Sequence, residues 1–462
     1  MTSLLSSSPI GNIPYDILCE IFLYCMPHHP FHSAKSKSRS TPLLLCHVCS
    51  FWRSAALSCP SLWSHLQYTI TMKRIKIKES GSSSMQWAFL RQDIDFLRWW
   101  KENQGTIAPF LSIDVCTVIY SREELQGRDY YVGEDTLDFV ATYLNSAQYL
   151  RIDDSIYREN MPWIQPAFQN LHTLVFFYNP IVALNLLSSH SPKSLRFVSL
   201  QRGIIQSIQS IPHNFSALTH LSLHNVRISI ESWYTLLRAV PKLEWGYFHI
   251  KEIYMYPTPT PTSITLSRLT SLTLSCNKAS KIVALLKNLL IPVLHTLSLS
   301  SRSHSWQDER AIPRLTTILR RTPNITTLSL GETFLSLHSL VYDPTILAPE
   351  ATPFWECTLH LAHLQLGLPF AHRNQIRGAE DRFSCFIRNV FRSDNTWLGL
   401  RHPSCPLHCV TIVDDQFDNI RDFATSETRR IAQAGLRVNV RIASESIERS
   451  ASHKWMEWGS RA

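Results

Sequence analysis

A six-residue pattern with apolar residues at its first, fourth and sixth positions recurs along most of this chain. Clear copies are "LRFVSL" at Leu195 and "LTHLSL" at Leu218, and a degenerate copy, "PFLSID", precedes the series. The copies begin at residues 147, 171, 195, 218, 243, 269, 294, 325, 361 and 407. The first seven are 23 to 26 residues apart, and the later intervals widen to 31, 36 and 46. A period of this length is typical of stacked repeats, in which each unit buries its apolar side against its neighbours.

Helix-like segments separate these short strands. "EDTLDFVATYL", "SWYTLLRAV" and "SKIVALLKNLL" place apolar residues three and four positions apart, which is helical spacing, and "NPIVALNLL" is similar. One strand and one helix per unit resembles the leucine-rich repeat, whose core is L-x-x-L-x-L. The resemblance implies an α/β solenoid with parallel strands on its concave face and helices on its convex face. Only Asn225 matches the trailing asparagine of that family clearly, so irregular repeats are expected. Chance periodicity in an ordinary α/β protein is the alternative.

Strand alternation predicts which side chains line the concave face, because neighbours of the buried leucines point the other way. These side chains are hydroxyls, imidazoles and aromatic rings almost without charge, which favours a protein partner over an acidic nucleic acid. A solvated face without a ligand is the alternative. The candidate substrate-binding residues are Phe197, Ser199, His220, Ser222, His224, Trp245, Tyr247, His249, Thr273, Ser298, Ser329 and Gln365.

The first sixty residues contain a separate, helical pattern. The segment 13–25, "IPYDILCEIFLYC", has an apolar stripe at helical spacing, and Pro27 ends it. A polar loop over 28–41 follows, and Pro42 opens a second apolar segment that ends before Cys59 and Pro60. These two or three short helices hold more aromatic and aliphatic surface than so small a unit can bury by itself. We therefore expect a partner to cover the surplus.

The spacing of these residues resembles the F-box, the helical hairpin by which F-box proteins bind the adaptor subunit of SCF-type cullin–RING ubiquitin ligases. Two features depart from that motif, an isoleucine before the first proline and a long loop over 28–41. The resemblance, which covers residues 10–66, implies an adaptor-binding set of Ile13, Pro14, Ile17, Leu18, Ile21, Phe22, Leu45, Val48, Cys49, Trp52, Leu62 and Trp63. A private three-helix core made of the same residues is the alternative. The pair Cys46 and Cys49 lacks the second pair of a zinc site, so we interpret both as small core residues.

Charge and motifs weigh against other functions. The net charge is +9, but the basic clusters "MKRIKIKE" and "AKSKSRS" lack the interleaved aromatics of a single-strand binding platform. We interpret "MKRIKIKE" as a strand whose lysines protect a sheet edge. The cluster "RHPSCPLHC" at 401–409 is too compressed for an ordinary zinc site. The sequence contains no P-loop, G-x-G-x-x-G, G-x-S-x-G or H-E-x-x-H motif.

The resemblance implies a substrate receptor of an SCF-type ubiquitin ligase, and the motif search predicts no catalytic activity, cofactor or metal. We expect a disordered N-terminus over 1–9, an F-box over 10–66, a linker with a strand and a helix over 67–105, a repeat solenoid over 106–440 and a polar tail over 441–462. By resemblance, the partners are the SCF adaptor, a cullin reached through it, and a protein substrate. The lack of a signal peptide or membrane-spanning stretch predicts a cytoplasmic or nuclear protein. A ligase-independent F-box scaffold and a nucleic-acid-binding solenoid are the alternatives.

Overall fold

The structure is a computed structural model. It describes residues 13–25, 41–63, 65–79, 82–104, 110–120, 130–132, 134–153, 170–178, 180–181, 183–184, 187, 193–205, 215–254, 263–301, 318–331, 360–367, 409–413 and 439–443. The chain divides into two compact units, one within residues 1–200 and the other within residues 201–457. Several predictions lie outside the described residues: the disordered N-terminus, the polar loop over 28–40, His402, Cys405 and His408 of the metal candidate, and the tail beyond residue 443.

The first unit begins with short helices and continues with a sheet. Its helices are α1 (Tyr15–Tyr24), α2 (Thr41–Cys46), α3 (Ser50–Leu57), α4 (Pro60–Trp63), α5 (Arg91–Gln104) and α6 (Glu134–Asn145). Its strands are β1 (His65–Glu79), β2 (Ser82–Leu90), β3 (Phe110–Tyr120), β4 (Tyr130–Val132), β5 (Tyr149–Asp153), β6 (Thr173–Phe177) and the first part of β7 (Phe197–Ile205). Strands β1, β3, β5 and β6 pair in parallel, whereas β2 pairs antiparallel with β1 and β4.

The second unit contains a parallel sheet with helices between its strands. In chain order its elements are β8 (His220–Ser229), α7 (Ile230–Ala239), β9 (Trp245–Tyr254), β10 (Ile264–Thr265), β11 (Ser271–Cys276), α8 (Ala279–Leu286), β12 (Leu289–Leu290), β13 (Thr296–Ser301), β14 (Thr327–Leu330), β15 (His363–Gly367), β16 (Cys409–Val413) and β17 (Asn439–Ala443). Strands β8, β9, β11, β13, β14, β15, β16 and β17 lie side by side in that order, all parallel. Strands β10 and β12 form a small separate sheet.

The leucines of the repeat pattern form the core of the second unit. In β8 and the turn before it, Leu218, Leu221 and Leu223 are buried, and the equivalent residues around β11 and β13 are buried too. The ring of Trp233 in α7 packs edge-on against Phe248 in β9, with ring centroids 4.7 Å apart. Strands β8, β11 and β13 thus bury the leucine face that the pattern predicts. The chain is a mixed α/β protein with a large, mostly parallel sheet.

Two details differ from the sequence-based expectations. Strand β1, which contains "MKRIKIKE", was expected at a sheet edge, but it pairs with β2 on one side and β3 on the other over Met72–Ile75. The helix expected over "SKIVALLKNLL" ends at Leu286, and Leu289 lies in β12 instead. Short apolar runs fit a helix or a strand equally well, so pairing with β10 decided the outcome there.

Candidate functional site in the N-terminal helices

Helix α1 has one buried and one exposed face. At about 100° of rotation per residue, Leu18 and Phe22 lie on one side, and both are fully buried. A second side, centred roughly 110° around the helix axis from the first, carries Ile17, Ile21 and Tyr24, whose exposed fractions are 49%, 39% and 78%. Helix α1 therefore buries only two of its apolar residues and leaves more of them exposed to water than it buries.

The second apolar segment is two helices rather than one. Helix α2 ends at Cys46 and α3 begins at Ser50. Cys49, in an extended conformation, is the residue that precedes α3. The Cys49 sulfur accepts a hydrogen bond from the Trp52 backbone nitrogen at 3.4 Å, as an N-cap residue does. The spacing of Leu45, Val48, Cys49 and Trp52 fits one face of a single helix, but this break divides them between two helices and a turn. Leu45 is buried, whereas Val48, in the turn, is 57% exposed.

Hydrogen bonds and aromatic contacts hold these helices together. The Tyr15 hydroxyl on α1 donates to the Ser54 and Ala55 carbonyl oxygens of α3, at 2.9 and 3.1 Å. Arg53 Nε donates to the Cys46 carbonyl oxygen at 2.9 Å, which ties α3 to the end of α2. The rings of Phe22 and Trp52 pack with centroids 5.0 Å apart. The exposed residues therefore stand on helices that are fixed to one another.

Trp63 joins these helices to the next helix of the same unit. Its Nε1 donates to the Ala56 carbonyl oxygen at 2.8 Å, and its own carbonyl oxygen accepts from Trp100 Nε1 of α5, also at 2.8 Å. The ring of Trp63 lies 4.8 Å from that of Trp100, in an edge-on contact. Trp63 is a core residue, and the same holds for the fully buried Leu62.

The predicted adaptor-binding set therefore separates into buried, half-buried and exposed residues. Leu18, Phe22, Leu45, Leu62 and Trp63 are buried, while Ile13 and Trp52 are half-buried. Pro14, Ile17, Ile21, Val48 and Cys49 are exposed. Three exposed apolar residues, Tyr15, Tyr24 and Leu44, were missing from the prediction, and of these Tyr15 is engaged with α3 through its hydroxyl. We call Ile17, Ile21, Tyr24, Leu44 and Val48 the exposed apolar set.

Tyr24 could have been found from the sequence, because it lies three residues beyond Ile21 and seven beyond Ile17. That spacing continues the same side of a helix. Leu44 carried no such signal, since "LLL" at 43–45 leaves open which leucine faces the core. The structure buries Leu45 and leaves Leu44 48% exposed.

The cysteines of this region have the character of core residues more than of ligands. Burial raises the pKa of the Cys19 thiol to about 11, and a hydrogen bond with Cys59 adds to the effect. Burial also raises the pKa of Cys46, against the opposing charge of Arg53. Protonated thiols are poor nucleophiles and poor metal ligands. Cys49 differs from the core prediction, because it is exposed and caps α3.

The second predicted site is the face of the parallel sheet opposite the leucines. The strand register aligns its side chains in rows that cross the sheet. One row runs from Ser222 through Tyr247, Thr273, Ser298 and Ser329 to Gln365. His224 and His249 begin the next row, with ring centroids 4.9 Å apart. The alignment predicted for these side chains is therefore present in the second unit.

Rings form a packed group at the β8–β9 end of this face. Trp245 and Tyr247 lie nearly parallel, 6.3 Å apart, and Tyr247 stacks with His224 at 6.2 Å. His220 stacks with Trp245 and contacts the Thr219 hydroxyl through Nδ1 at 2.8 Å. Burial lowers the pKa of His220 from 6.5 to about 4, so this imidazole is neutral at pH 7.

Little of this face is open to solvent. Of the predicted substrate-binding residues in the second unit, His224, Trp245 and Gln365 are half-buried and the others are buried. In the first unit, Phe197 and Ser199 are buried as well. The Ser298 hydroxyl is buried and has no hydrogen-bond partner among the described residues. The N-terminal helices therefore offer the more accessible candidate site.

No protein-family model matches the chain, and no curated protein matches it. Within the described ranges, no helix combines the length and apolarity needed to cross a membrane. The same part of the chain holds no group of three or more His, Cys, Asp or Glu residues arranged to bind a metal. The physical properties of the site are thus the basis for assigning a function.

Proposed function

We propose that this chain is the substrate-recognition subunit of an SCF-type cullin–RING ubiquitin ligase. In this proposal the N-terminal helices act as an F-box that binds the adaptor, and the repeat region acts as an irregular leucine-rich-repeat solenoid that holds a protein substrate. The chain performs no chemistry itself, because its role is to bring the substrate close to the ubiquitin-transfer machinery.

One observation carries the proposal. Ile17 and Ile21 are exposed on α1 and Val48 is exposed in the turn before α3, while Phe22 and Trp63 of the same helical unit are fully buried. Exposed apolar side chains grouped in one small helical unit are typical of a binding surface. Helices that present such residues at intervals of three and four bind in a partner's groove. The order and spacing of these residues, which resemble the F-box, name that partner as the adaptor.

The repeat region supports the second half of the proposal more weakly. The rows of this sheet face that contain Ser222 and His224 carry no Asp, Glu, Lys or Arg, which favours a protein ligand over a nucleic acid. The ion pair of Arg227 with Glu252 lies further along β8 and β9. Since most of these side chains are buried, the half-buried Trp245, His224 and Gln365 are the residues with which a substrate would make first contact.

A binding assay with purified adaptor tests the proposal. We expect the full chain to retain the adaptor, and Ile17→Asp or Val48→Asp to weaken binding by about tenfold or more, because a charge would enter an apolar interface. Ile204→Asp is the matched control, since Ile204 is another exposed isoleucine, in β7 and outside these helices. If all three variants bind as well as the wild type, the exposed apolar set is not the interface.

A second assay separates a ligase subunit from a ligase-independent scaffold. The full chain is combined with adaptor, cullin, RING subunit and ubiquitin-conjugating enzymes, and ubiquitin transfer to a captured protein is measured. We expect transfer that the Ile17→Asp variant loses. Adaptor binding without any transfer would favour the scaffold.

A further inference from the structure

The exposed face of α1 has an acidic edge beside its apolar strip. Successive residues are about 100° apart around the helix axis, so Asp16 and Glu20 are separated by roughly 40°. Ile17 and Ile21 lie beside them, within roughly the next 100° around the axis. Both acidic side chains are exposed. Any partner that covers the isoleucines must therefore also lie against these carboxylates.

No described residue neutralises this acidic edge. Neither Asp16 nor Glu20 forms an ion pair with another described residue. Helix α1 contains no basic residue, and among the described residues of α1 to α4 the sole Lys or Arg is Arg53. The Arg53 Nε is engaged with the Cys46 carbonyl oxygen. The acidic edge contrasts with the net charge of +9 of the whole chain.

We propose that the partner bound by α1 presents an apolar groove bordered by Lys or Arg side chains that face Asp16 and Glu20. This inference rests on the proposed function, since it describes the surface of the adaptor that receives the helix. A neutral border would remove water from two carboxylates without replacing its hydrogen bonds, and an acidic border would repel them. A basic border removes both costs.

Charges at the border of an interface act mainly on the association rate. Complementary charges raise the rate at which the two surfaces meet, and dissolved salt screens that attraction. The apolar contacts of Ile17 and Ile21, in contrast, determine how slowly the complex dissociates. The inference therefore predicts a specific kinetic pattern that the apolar contacts alone do not produce.

Surface plasmon resonance with immobilised adaptor and the full chain in solution measures this pattern. The variants are Glu20→Lys alone and Asp16→Lys with Glu20→Lys. Lysine has nearly the helix propensity of glutamate, so Glu20→Lys leaves α1 intact. Asp16 lies in the first turn, where a lysine is unfavourable, and the single variant therefore guards against a loss of α1 in the double variant. The matched control is Asp138→Lys, which makes the same charge change at an exposed position of α6.

We expect the double variant to associate about tenfold more slowly at low salt, with a nearly unchanged dissociation rate. The difference should shrink as the salt concentration rises, and Asp138→Lys should associate like the wild type. If Glu20→Lys associates as fast as the wild type or faster, the basic border is wrong, while the proposed function stands as long as Ile17→Asp still weakens binding. If the wild type does not bind the adaptor, both proposals fall.

Discussion

Three residues with positive φ angles mark equivalent positions of successive repeats. Tyr178, Arg202 and Asn225 have φ angles of 73°, 56° and 57°, and each follows the first leucine of its repeat by seven residues. Asparagine tolerates this conformation, whereas it costs other side chains roughly 1–2 kcal/mol. The repeat therefore imposes this backbone conformation even where the residue type opposes it.

Gly246 shows how a single residue can adapt the repeat pattern. It stands where most copies have a leucine or valine, and a β-carbon there would lie 2.5 Å from the Phe248 ring. That ring also packs against Trp233 at 4.7 Å, so it has little freedom to move aside. The glycine leaves room for a large aromatic residue two positions later.

His220 should make the protein less stable in mild acid. Because burial lowers its pKa from 6.5 to about 4, the unfolded chain binds a proton at this residue before the folded chain does. The free energy of unfolding is therefore not reduced by His220 above pH 6.5. It decreases as the pH falls toward 4, by up to about 3 kcal/mol. Urea denaturation between pH 7 and 4 measures the loss.

The variant His220→Phe isolates this contribution, since it keeps a ring beside Trp245 but cannot titrate. We expect its stability to fall less steeply with decreasing pH than that of the wild type. His360→Phe, at an exposed histidine, retains His220 and should keep the wild-type slope. Parallel curves for wild type and His220→Phe would contradict the assignment.

At the scale of elements, the sequence predicted where apolar faces occur better than where helices begin and end. Helix α1 and the strands of the 23–26-residue repeat were predicted because their periodicity is strong. The break between α2 and α3 was missed, since a cysteine is an unusual N-cap and the apolar pattern continues through it. The interior position of β1 was missed because strand order depends on contacts distant in sequence.

The Cys49 cap gives a prediction at this scale. A sulfur at 3.4 Å is a weak acceptor, and serine at the same position offers a stronger one. Cys49→Ser should stabilise the protein by about 0.5–1 kcal/mol, and Cys49→Ala should not. Chemical denaturation of both variants, with the exposed Cys25→Ser as the control, measures the difference. Equal stability of the serine and alanine variants would show that the cap contributes nothing.

At the scale of the molecule, the sequence predicted the α/β class and the alignment of side chains across the sheet. It could not predict how much of each aligned side chain stays accessible. Ser222 and Thr273 were expected to line an open face, but the structure buries both. Alternation assigns a residue to a side of the sheet, whereas accessibility depends on everything packed around that side. The same reason explains why Ile17 is exposed and Leu18 is buried, although the two are adjacent residues of the same apolar stripe.

The arrangement of successive parallel strands also predicts how far a core substitution destabilises the rest of the chain. Leu274 is fully buried in β11, which pairs with β9 and β13. Leu274→Ala should cost roughly 2–5 kcal/mol through the lost contacts and the cavity left behind. In an array of repeats each unit is stabilised mainly by its neighbours, so the loss should be local. Hydrogen exchange followed by mass spectrometry should show faster exchange in peptides from β9, β11 and β13, with peptides from α1 and α3 unchanged.

The control Thr265→Ala, at an exposed residue of β10, should leave all of these peptides at wild-type rates. Uniformly faster exchange in every peptide of Leu274→Ala would instead mean that the chain unfolds as one cooperative unit, and the repeat description of its energetics would be wrong.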